Sequence, residues 1–103
     1  MPGLPETFHF LDESEAKADA CLSAIEHVEE WLTKSADSAS QEMNRLLLCR
    51  GENFTSVTLD QAIGAVSEAE VDLSRLQNVL EEVKFKIQAS KQFIGVYRAL
   101  ISR

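Results

Sequence analysis

From Leu59 to Ile101 apolar residues recur at alternating spacings of three and four for six heptads. Few folds accommodate such a pattern. The positions are Leu59, Ala62, Val66, Ala69, Leu73, Leu76, Leu80, Val83, Ile87, Ser90, Ile94, Tyr97 and Ile101, and Ser90 alone is neither apolar nor aromatic. A mean spacing of 3.5 residues keeps one stripe aligned on a neighbouring helix, because supercoiling absorbs the mismatch with 3.6 residues per turn. The spacing predicts one helix over 58–102, roughly 65 Å long at 1.5 Å per residue. Thr58 with Gln61 forms a capping box at its start, and Val57 and Ala62 are placed as a hydrophobic staple.

A weaker copy of the pattern precedes it. Ala18, Cys21, Ile25, Val28, Leu32, Ser35, Ala39, Leu46 and Cys49 follow the same alternation, interrupted at Glu42, where Met43 stands next door. This predicts a first helix over 12–50, with Asp12 as its cap and Glu15 completing a capping box. Gly51 ends it, and Arg45 and Arg50 suit a helix carboxyl end. Residues 1–11, with Pro2, Gly3 and Pro5, read as an arm carrying Phe8, Phe10 and Leu11. "GENFTSV", residues 51–57, is the connection.

Two long helices joined by so short a link predict an all-α fold, a long antiparallel hairpin of coiled-coil type over 12–103. Such a hairpin is compatible with a four-helix bundle on oligomerisation. Laid antiparallel with paired positions summing to about 108, the seams set Leu32 against Leu76, Val28 against Leu80 and Ile25 against Val83. Charge supports this orientation. Residues 1–33 carry eight acids and one base, Lys17, whereas 84–103 carry five bases and no acid. Each exposed pair contributes only about 0–1 kcal/mol, so the effect selects orientation and register. The alternative is a three-helix, spectrin-like bundle, in which the small polar stretch "TKSADSASQE" (33–42) breaks the first helix and Trp31 is enclosed.

Composition narrows the function. After Pro5 no proline occurs, which is hard to reconcile with a turn-rich β fold. A formal charge of −7 argues against nucleic acid, whose phosphates demand a basic face. No apolar run is long enough to span a bilayer, and the N-terminus lacks the charged and apolar regions of a signal peptide. The expected location is therefore cytoplasmic or nuclear, not secreted. The expected state of Cys21 and Cys49 is reduced, as small core hydrophobes. On one helix they stand about 42 Å apart, too far for a disulfide or a shared metal. The sequon Asn53-Phe54-Thr55 has no use without export.

His9 and His27 lack a second ligand at helical spacing, so no metal is expected. The acidic pairs Glu29-Glu30 and Glu81-Glu82 lie on solvated faces, and a hairpin offers no enclosed site to shift a carboxylate pKa. No cofactor motif occurs and no enzymatic activity is expected.

What the seams leave over is more informative. Trp31, Leu47 and Leu48 on the first helix, and Ile63, Val71, Val79, Phe85, Phe93, Val96 and Leu100 on the second, lie off the stripes. In the closing "KQFIGVYRALISR", Ile94, Tyr97 and Ile101 serve the seam, while Phe93, Val96 and Leu100 widen the apolar face. One covering for them is local, with Leu11 near Tyr97 and Phe8 near Leu100. The other is a partner helix, from a second copy or a different protein. The expected function is a non-catalytic interaction or scaffold subunit of a larger cytoplasmic assembly, of cytoskeletal, kinetochore or trafficking type. Trp31, Phe85, Phe93, Tyr97 and Leu100 are the expected contacts. A spectrin-like spacer is the alternative, and a membrane-surface module is a weaker third.

Overall fold

The computed structural model describes residues 3–51 and 57–102. They form two helices, α1 (Leu4–Gly51) and α2 (Val57–Ile101). The fold is all-α, a helical hairpin with its helices antiparallel. α1 runs without a break through 33–42, which excludes the three-helix alternative. In that stretch the Thr33 hydroxyl donates to the Glu29 carbonyl at 3.0 Å, satisfying a polar side chain on its own helix instead of competing with it.

The amino end differs from expectation. No arm precedes Asp12, because α1 begins at Leu4. Pro5 stands in the first helical turn, which its fixed φ and missing N–H suit. The Thr7 amide and hydroxyl both donate to the Gly3 carbonyl, at 3.0 and 3.1 Å. Asp12 is thus mid-helix, free to reach across to α2 instead of capping. α2 begins one residue before the expected cap, so Thr58 lies within its first turn. The connection and the sequon, at 52–56, fall outside the described residues.

The chain divides into two compact units, each pairing a length of α1 with a length of α2. The first comprises Met1–His27 and Leu80–Arg103, the second Val28–Val79. In the first, Leu11 and Ile25 are buried. Arg98 meets Asp12 at 2.6 Å and Glu15 at 3.4 Å, while Lys91 meets Asp19. In the second, Leu32 is buried at 2% exposure, and Arg50 meets Asp60 at 3.7 Å. The pairs Asp12–Arg98, Asp19–Lys91 and Arg50–Asp60 each have residue numbers adding to 110, within two of the expected register.

The seams follow every seventh residue. On α1 this spine is Leu11, Ala18, Ile25, Leu32, Ala39 and Leu46; on α2 it is Leu59, Val66, Leu73, Leu80, Ile87, Ile94 and Ile101. All are buried or half-buried. In the other half of the expected stripe Cys21, Ser35 and Ala62 are half-buried as expected, but several positions are displaced by one residue. On α2, Ile63, Glu70, Lys84, Lys91 and Arg98 are half-buried, whereas Ala69, Leu76, Val83, Ser90 and Tyr97 are exposed. On α1, Glu29 and Met43 are half-buried while Val28 and Glu42 are exposed. The pairings assigned to Leu76, Val83 and Val28 therefore do not form a closed seam. On the displaced row Lys91 and Arg98 reach acids of α1, and the row on the other flank is left facing water.

Candidate functional site

Around a helix, the residues one and four positions after a spine residue lie on one flank. Those one before and three after lie on the other. In the first unit the first flank of both helices is charged. It carries Asp12, Glu15, Asp19, Lys91 and Arg98, joined by the ion pairs above. Arg98 is also 6.0 Å from the centre of the Phe8 ring, close enough for a cation–π contact. A hydrogen bond and the charge of Asp19 hold the Lys91 ammonium above its ordinary pKa. The ion pairs span this flank without filling it: a groove of about 660 Å³ opens there, with Glu15, Leu22, Phe85 and Lys91 in its lining.

The opposite flank is apolar and open. On α2 it presents Val83, Lys86, Ser90, Phe93, Tyr97 and Leu100, and on α1 Phe10, Lys17, Ala24 and the half-buried Cys21. Phe93 is 73% exposed, Leu100 57% and Tyr97 50%. Between the helices it opens as a groove of about 540 Å³, lined by Leu11, Phe85, Ala89, Ser90, Phe93, Ile94 and Tyr97, with Lys86 at its edge. Leu11 lines the same groove as Tyr97 and is itself buried. It leaves Phe93, Val96 and Leu100 uncovered.

Of the five expected contact residues, Phe85, Phe93, Tyr97 and Leu100 belong to this unit, and Phe85, Phe93 and Tyr97 line one groove. Tyr97, assigned to the seam by periodicity, is on the open flank. Trp31 belongs to the second unit, where it is exposed beside Val28, one turn earlier on α1. Leu76 and Val83 are open positions that the alternation had assigned to the seam. Lys84, Lys91 and Arg98, each one residue after an apolar stripe position, were the signal that could have shown which flank faces α1.

Among the described residues no three His, Cys, Asp or Glu side chains converge as a metal site would require. Both cysteines carry free thiols, Cys21 half-buried and Cys49 exposed, so Cys49 is not the core residue its spacing suggested. No described helix is long and apolar enough to cross a membrane. No family model, curated protein or solved structure matches the chain.

Proposed function

We propose that this chain is a non-catalytic interaction subunit that recognises another helix through the open apolar flank of its hairpin. One observation carries the reading. Among its described residues α2 has no fully buried side chain, yet ten large apolar residues, from Val57 to Leu100, are exposed on it. Scattered apolar exposure is ordinary for folded proteins, but a helix whose apolar residues outnumber what its neighbour covers is a helix short of a partner. Phe85, Phe93, Tyr97 and Leu100 are the contacts, since large aromatic anchors dominate the energetics of such interfaces. The setting is a multi-subunit assembly, with cytoskeletal, kinetochore and trafficking complexes as the class-level analogy.

Replacing Phe85 and Phe93 by Asp tests this. Both side chains are more than two-thirds exposed, so helicity should hold while association with a helix falls by about tenfold or more. A double variant that keeps its helicity and loses no association, with itself or with an amphipathic helix, contradicts the proposal.

A further inference from the structure

The charges around the open flank distinguish between occupants. In the first unit, the residues one before and three after each spine position are Phe10, Ser14, Lys17, Cys21 and Ala24 on α1. On α2 they are Val83, Lys86, Ser90, Phe93, Tyr97 and Leu100. Only Lys17 and Lys86 among them are charged, and both are exposed. Neither makes an ion pair among the described residues, whereas Lys91 and Arg98 are engaged on the opposite flank by Asp12, Glu15 and Asp19. The nearest acids along the helices stand one row further out. Glu13, one turn before Lys17, is turned to His9 at 3.3 Å, and Glu82, one turn before Lys86, makes no pair with it.

We infer, building on the docking role above, that the occupant of this flank is an amphipathic helix of another protein with carboxylates along the edges of its apolar face. Its apolar residues cover Phe93, Tyr97 and Leu100, and its acids meet Lys17 and Lys86 at the two rims. A second copy is the poorer fit. Meeting the same flank of itself, the chain would bring four lysines into the contact with no acid on those rows to receive them, and like charges in a contact oppose association. A lipid surface would use the same lysines, but two cations are few for stable adsorption to a membrane.

The test uses the full chain and two labelled synthetic helices of about 21 residues, long enough to follow the flank for some 30 Å. Both carry the same leucine stripe, one bordered by glutamates and its twin by lysines. Fluorescence anisotropy should show the glutamate helix binding at least about threefold more tightly, the sum of two modest charge contacts. Changing Lys17→Glu and Lys86→Glu together should reverse that preference. Equal binding of the twins, or preference for the lysine twin, overturns the acidic partner. If Phe93→Asp then abolishes that binding, helix docking itself survives. A concentration-dependent dimer by light scattering that Phe93→Asp dissolves overturns the inference in favour of a second copy. Co-sedimentation with phosphatidylserine vesicles, with no binding of either helix, overturns both this inference and the docking role.

Discussion

Leu32 is 2% exposed and Val28, one turn earlier, 43% exposed. Sequence spacing gives them the same standing. Leu32→Ala is expected to lower stability by about 2 kcal/mol or more in urea unfolding, because burial and cavity terms add. Val28→Ala should cost well under about 1 kcal/mol, as a half-exposed methyl pair does. Equal losses would mean that Val28 is on the seam after all. Lys91 makes a second residue-scale prediction. Asp19 raises the Lys91 pKa above 10.5, so folding is favoured by the ammonium form. That contribution is complete below the ordinary value and fades as the pH climbs through the higher folded one. Lys91→Met should therefore lower the urea midpoint slightly at pH 8, and the difference from the native chain should shrink by pH 11.5. A difference unchanged across that range would mean that the pair adds nothing.

At the scale of the elements, α1 is one continuous helix through 33–42. Ser38 is exposed in the middle of that stretch. Ser38→Pro removes an internal hydrogen bond and clashes with the preceding turn, so about 3 kcal/mol of stability should be lost, with helicity falling in circular dichroism. A tolerated proline would mark a loop. Both long helices and the antiparallel charge match were legible in the sequence, because apolar periodicity acts locally and the acids and bases are segregated along the chain. The start at Leu4 was not, since Pro5 blocks a helix interior but suits a first turn. Nor was the choice of flank. An alternation of three and four defines the spine but leaves two rows competing for the neighbour, and apolarity favoured Leu76, Val83 and Tyr97. The pairing of Lys91 and Arg98 with Asp19, Asp12 and Glu15 decides for the other row, and that contact lies some seventy residues or more away along the chain. Phe93 and Leu100 stand outside both periodic rows, so the sequence marks them as surplus, and both are exposed.

For the whole molecule, the proposed docking role makes this acidic chain, with ion pairs along one flank of its first unit and exposed aromatic residues along the other, one half of a larger packing arrangement. The central claim is that burial of the open flank by a helix is what the exposed aromatic residues serve. Burying apolar surface on association lowers the heat capacity, a signature that charge pairing alone does not produce. The most direct measurement is therefore titration calorimetry of the full chain with the glutamate-bordered helix at several temperatures, repeated with Phe93→Asp. A clearly negative heat-capacity change that Phe93→Asp largely removes is the expected result. A heat-capacity change near zero, or one that Phe93→Asp leaves intact, would contradict the account.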